Sequence, residues 1–227
     1  MRKFLESKGF KTRLLVSVGL IAVMVPSYLL FDGIILKILL GVGFLIAILE
    51  MANVGTETRF FPSGRDLSLA MFLGVALIVA AMSLTSISIQ LLGTAVVASV
   101  ATDVGAYLIG NAIGQHHLPK KLSPNKTYEG CFGGVMLGMI VTMLWAHDVS
   151  FLWMAPVAFV GDLLESVFKR RFGVKDSNDF LLESENPLVR FVEGLLGGRS
   201  GHGGYFDRLD SLSLVLFVQA ILTLFFP

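Results

Sequence analysis

The chain has 227 residues, 54% of them hydrophobic and 15% charged, with a mean hydropathy of +0.75 and a formal net charge of +1. That composition excludes a water-soluble globular domain, which needs more polar surface than these residues supply. It also argues against a nucleic-acid partner, because the basic residues are dispersed among apolar segments rather than gathered in a stripe.

Crossing a hydrocarbon core of roughly 30 Å takes about 20 helical residues. In chain order, apolar stretches near that length run over 14–31, 34–52, 67–89, 91–114, 131–146, 151–168 and 211–226. The expectation is therefore an all-α polytopic integral membrane protein of about seven transmembrane helices. The joint near Gln90 is either a tight turn between two spans or a kink within one. The N-terminal run has the basic flank of a signal peptide but no small-residue cleavage site after it, so it is read as the first span. No internal repeat or linker divides the chain, which reads as one domain over 1–227, with N-terminal helices over 14–100 and a motif-bearing region over 101–211.

Orientation follows from the basic residues, since basic loops stay cytoplasmic. Arg2, Lys3, Lys8, Lys11 and Arg13 precede the first span, which places the N-terminus in the cytoplasm. Threading seven spans from there leaves 17 of the 18 Lys and Arg residues on the cytosolic face, Lys37 being the exception. A wrong span count would scatter them.

The only cysteine, Cys131, has no partner for a disulfide or a thiolate zinc site and reads as a small residue at a helix start. Ionisable residues within spans are functional candidates unless they reach the interface. Glu50 closes the second span, where it either meets cytosolic water or serves a site. Asp103, with Tyr107 and Gly110 on the same helical face, suits a buried hydrogen bond or a site role equally.

The strongest constellation ends the sixth span, where Asp162, Glu165, Ser166 and Lys169 fall at i, i+3, i+4 and i+7 on one face, followed by Arg170, Arg171 and Lys175. Hard carboxylate oxygens suit a divalent cation, and cationic side chains neutralise phosphate. A positive-inside flank explains the cations but not the two acids. Then come Gly201-His202-Gly203-Gly204 and, at the start of the last helix, Asp207-Arg208-Leu209-Asp210. Glycines let backbone N–H groups approach a phosphate, and the two aspartates are either metal ligands or ordinary helix-start residues. The loop Ser123-Pro124-Asn125-Lys126-Thr127-Tyr128-Glu129-Gly130 adds hydroxyls and a lysine, while the adjacent His116 and His117 read as solvated loop residues. Between Asp176 and His202, Leu188, Phe191, Val192, Leu195 and Leu196 recur at helical spacing, a segment suited to lying on the cytosolic leaflet or to covering the site as a lid.

Taken in order, Gly161-Asp162-Leu163, Ser166-Val167-Phe168-Lys169-Arg170, Lys175-Asp176 and the run from Gly201 through Asp210 resemble the C-terminal signature of the phosphatidate cytidylyltransferases (CDP-diacylglycerol synthases). Thr102 to Tyr107 and Ser123 to Gly130 are also similar to family segments, so the likeness covers about 101–211. Ser200 and Asn125 depart from the family pattern, and 177–200 reads as an inserted cytosolic segment.

The resemblance implies transfer of CMP from CTP to phosphatidic acid in phospholipid biosynthesis, with Mg²⁺ and one or two ions. It implies catalytic roles for Asp162, Lys169, Asp207 and Asp210, with Asp162 and Asp207 as metal ligands. Substrate contacts are expected from Ser123, Lys126, Thr127, Ser166, Arg170, Lys175, Asp176, His202 and Arg208. The expected setting is a bacterial inner membrane, with a cytosolic-facing polar site and homodimerisation left open. Alternatives are a CTP-dependent enzyme acting on another lipid, of CDP-archaeol synthase or polyprenol kinase type, a cation-coupled transporter, and a scaffold that has lost catalysis.

Overall fold

A computed structural model describes residues 34–56, 64–119, 122–123, 126–171 and 206–225. These form six α-helices: α1 (Ile34–Thr56), α2 (Gly64–Ser83), α3 (Ile89–Ile113), α4 (Tyr128–Ala146), α5 (Met154–Arg171) and α6 (Phe206–Phe225), with a single 3-10 turn, Val149–Phe151, before α5. Among the described residues there is no strand, only an isolated bridge between His117 and Thr127. Five helices are long and apolar enough to cross a membrane, while α2 contributes a shorter apolar stretch, Ser68–Ser83. The described residues are all-helical, and the protein is a multi-pass membrane protein. The expected span over 14–31 lies outside the described residues. The chain divides at Gly41 into two units; the first contributes only residues 34–41 to the described structure, and the second holds the rest of α1 and helices α2 to α6.

Near Gln90 the chain breaks rather than kinks. Helix α2 ends at Ser83, a turn follows, and Ser88 caps α3 by accepting a hydrogen bond from the Leu91 N–H at 3.3 Å. Such a cap satisfies one of the N–H groups that a helix start leaves unbonded. Two further boundaries move. Helix α6 begins at Phe206, five residues before the apolar stretch at Ser211, so Asp207 and Asp210 lie within the helix. Helix α5 runs on to Arg171, which places Lys169, Arg170 and Arg171 in its last turn, where cations complement the helix dipole.

Helices α3 and α4 pack as an antiparallel pair built from small residues. Gly130, Gly134 and Gly138 on α4 are buried, while Phe132 and Leu144 on the same helix are 72% and 68% exposed. This pattern is the reverse of a soluble helix. Lipid is as apolar as leucine, so close backbone contact rather than burial of large side chains joins membrane helices. A Cβ on Gly134 would stand 2.6 Å from the Ala106 Cβ, inside van der Waals contact. Thr94, Thr102 and Thr142 are buried but bond carbonyls of their own helices at 2.7–2.8 Å, which leaves no hydroxyl facing hydrocarbon unpaired at these positions.

Helix α5 touches α2, α3, α4 and α6, and α6 also packs on α2 and α3. Phe72 of α2 meets Phe217 of α6 edge to face at 5.8 Å. The buried Gly161 lets α6 run directly across α5, since a Cβ there would lie 2.8 Å from the Asp210 carbonyl and 3.0 Å from the Ser211 Cα. That crossing sets Asp162 against Asp210.

Candidate active site

The polar groups gather where the start of α6, the second half of α5 and the loop preceding α4 converge. That loop is fixed by backbone bonds from Leu118 N–H to the Lys126 carbonyl and from Tyr128 N–H to the His116 carbonyl, both 2.9 Å. Glu129 staples it further: its carboxylate accepts from the backbone N–H groups of Gln115 and His116 at 3.2 Å and meets the His116 Nδ1 at 2.5 Å. Thr127 caps α4 by accepting from the Gly130 N–H at 3.2 Å. So held, the loop delivers Lys126 to α5, where its Nζ pairs with the Asp162 carboxylate.

Asp162, Glu165 and Asp210 each bring one carboxylate oxygen within 4.8 Å of the others. Glu165 and Asp210 are buried, and Asp162 is half-buried. Beside them, the Lys169 Nζ lies 2.6 Å from Glu165 Oε1 and 3.3 Å from Asp207 Oδ1, joining α5 to α6 across the same face. Asp103 of α3 accepts a 3.4 Å hydrogen bond from the Ser211 hydroxyl and is near enough to Asp162 and Lys126 to interact electrostatically with both.

Among the described residues, five carboxylates, from Asp103, Asp162, Glu165, Asp207 and Asp210, lie with two lysines, Lys126 and Lys169. Uncompensated carboxylates are costly at membrane depth, so this surplus of negative charge favours a cation. The donors fit a hard one. In an octahedral Mg²⁺ site with ligands at about 2.1 Å, adjacent oxygens stand roughly 3.0 Å apart and opposite ones roughly 4.2 Å, so a trio within 4.8 Å would draw together around the ion.

Of the other expected residues, Ser166 is half-buried on α5, Arg170 and Arg208 are exposed, and Ser123 is buried in the turn before Lys126. Lys175, Asp176, His202 and the segment over 177–200 lie outside the described residues. The structure gives Asp207 to Lys169 and sets Asp210 and Glu165 with Asp162. Helical spacing alone puts Glu165 on the face shared by Asp162 and Lys169. Glu50 departs from the reading in which it meets water: it is 1% exposed, and its carboxylate accepts a hydrogen bond from the Phe206 N–H at 2.9 Å. Nothing in its sequence neighbourhood signals a partner 156 residues away.

Residues 3–182 match the cytidylyltransferase family. The chain belongs to that family. Among its relatives, the phosphatidate cytidylyltransferase of Staphylococcus aureus is 31% identical over 247 aligned positions, covering 95% of this chain and 79% of that protein. The phosphatidate cytidylyltransferases of Staphylococcus saprophyticus and Staphylococcus haemolyticus are 39% and 38% identical over 126 residues, which is 51% of this chain and 42% of theirs. These shorter matches thus span less than half of the relatives' own length.

Proposed function

We propose that this chain transfers CMP from CTP to the phosphate of phosphatidic acid, giving CDP-diacylglycerol and pyrophosphate. The observation that carries the reading is the meeting of Asp162, Glu165 and Asp210 beside Lys126 and Lys169, in a chain of the cytidylyltransferase family. An oxygen of the lipid phosphate attacks the α-phosphorus of CTP, the bond from that phosphorus to the bridging oxygen breaks, and pyrophosphate leaves with the electron pair. The attacking group is already anionic. Catalysis is then chiefly positioning and charge neutralisation rather than proton transfer.

Asp162, Glu165 and Asp210 would hold Mg²⁺, which when bound neutralises and orients phosphate oxygens. Lys126 and Lys169, now engaged with carboxylates, are placed to exchange those partners for substrate phosphates. Release of Lys169 to the triphosphate would free Asp207 as a further ligand. Arg170, Arg208, Lys175 and His202 serve as phosphate contacts, Ser123, Thr127 and Ser166 line the pocket, and Asp176 supports the metal side. The site faces the cytosol, where CTP is made, in a bacterial inner membrane; the distribution of Lys and Arg supports that orientation.

The test is incubation of detergent-purified protein with labelled CTP, Mg²⁺ and phosphatidic acid, with mass spectrometry of the lipid phase. Mg²⁺-dependent CDP-diacylglycerol is expected, with one pyrophosphate per lipid. A folded preparation that forms no cytidylyl lipid overturns the acceptor, and one that releases CDP with a phosphorylated lipid overturns the reaction class.

A further inference from the structure

Glu50 is not one of the converging trio, yet it is more fully buried than any member of it. It lies on α1, and its Oε2 accepts from the backbone N–H of Phe206, the first residue of α6. The first N–H groups of a helix have no partner within the helix, and a carboxylate oxygen placed there satisfies one of them. Capping groups ordinarily come from the residues just before the helix. Here one comes from a distant span.

The residue it holds is not a neutral one. The Phe206 ring is buried, with its edge to Phe168 at 5.9 Å. Phe168 precedes Lys169, and Phe206 precedes Asp207, so the aromatic pair and the Lys169–Asp207 ion pair are adjacent rungs between α5 and α6. Asp210 follows one turn later, within the carboxylate trio. Fixing the Phe206 N–H fixes how far α6 is advanced along its axis and how it is rotated. Those two variables decide where Asp207 and Asp210 stand.

We propose that Glu50 is a positioning residue: its carboxylate seats the first turn of α6 and thereby sets Asp207 against Lys169 and Asp210 against Asp162 and Glu165. The inference rests on the cytidylyltransferase reading for its consequence in catalysis, but not for its structural content. Among the described residues, the carboxylates that converge as a metal-sized group do not include Glu50. It acts through the backbone of α6.

Two mild substitutions separate the hydrogen bond from the charge. Glu50→Gln keeps an acceptor oxygen at the same reach and loses the charge; Glu50→Asp keeps the charge and shortens the reach by one methylene. The inference requires Glu50→Gln to stay within about threefold of wild type, as a retained hydrogen bond implies. Glu50→Asp should lose about 10- to 100-fold, as misplacement by about 1 Å can cost. The loss should fall on kcat and on the Mg²⁺ midpoint, with KM for CTP little changed.

Hydrogen exchange followed by mass spectrometry reads the same geometry without turnover. Exchange over residues 206–212 should quicken in Glu50→Asp and stay at the wild-type rate in Glu50→Gln, with the α4 peptides unchanged in both. The opposite ranking, Asp tolerated and Gln inactive, would show that charge matters rather than the bond and would overturn the proposal. So would wild-type turnover and exchange in both variants. If the wild-type protein makes no cytidylyl lipid, the functional reading fails, and the exchange experiment alone decides the role of Glu50.

Discussion

Helices α3 and α4 and helices α5 and α6 are both antiparallel pairs brought together at glycine, and they use the closeness differently. In the first pair, Gly134 admits Ala106, and the result is backbone contact between apolar surfaces. In the second, Gly161 admits the backbone of Asp210, and the result is a cluster of acids and lysines. Close approach is thus a generic membrane device whose consequence depends on what flanks the glycine. On α4 the neighbours of Gly134 are Gly133 and Val135; on α5 the residue after Gly161 is Asp162.

The sharpest way to break the comparison is at the charge itself. Asp162→Asn should lower cytidylyl transfer by about a thousandfold, the scale of removing a preorganised electrostatic contact, while the protein still inserts into the membrane. The same variant should lose the stabilisation that Mg²⁺ confers on wild type, about 2.7 kcal/mol at a hundredfold excess over Kd, read as a shift in Tm. Wild-type turnover in Asp162→Asn would remove that residue from the site.

Next in size are the two glycines, which should part company. Leucine at either position forces atoms into contact, and overpacking typically costs about 1–3 kcal/mol. Gly134→Leu should lower Tm with the Mg²⁺ midpoint of the surviving folded fraction unchanged. Gly161→Leu should raise that midpoint even where Tm falls equally, because it moves Asp210 away from Asp162. Equal effects on the midpoint would mean that the two pairs are not functionally distinct.

The smallest effect is expected at the far end of the bundle. Asp148 accepts from the Ser150 N–H at 2.8 Å, and those bonds hold its carboxyl below the usual range. A lowered folded-state value means that its contribution is present above the ordinary Asp range and is lost as pH falls through the lowered one. Asp148→Ala should therefore leave turnover unchanged and trim stability slightly at neutral pH, with the difference from wild type vanishing in acid. A large effect on CTP turnover would contradict placing the site at the opposite end.

The membrane class, six of the seven expected helices and the face shared by Asp162, Glu165 and Lys169 were legible in the sequence, because each rests on local composition or on a helical repeat. The family likeness was legible for the same reason, since its motifs are short and contiguous. What only the tertiary structure decided is how separate elements meet: that Lys126 reaches Asp162, that Asp210 stands with Asp162 and Glu165, and that Glu50 turns inward to hold α6. Periodicity fixes direction around one helix axis. It carries no information about how far one helix is advanced or rotated against another, and at this site that relation is set by a glycine crossing and a hydrogen bond spanning 156 residues.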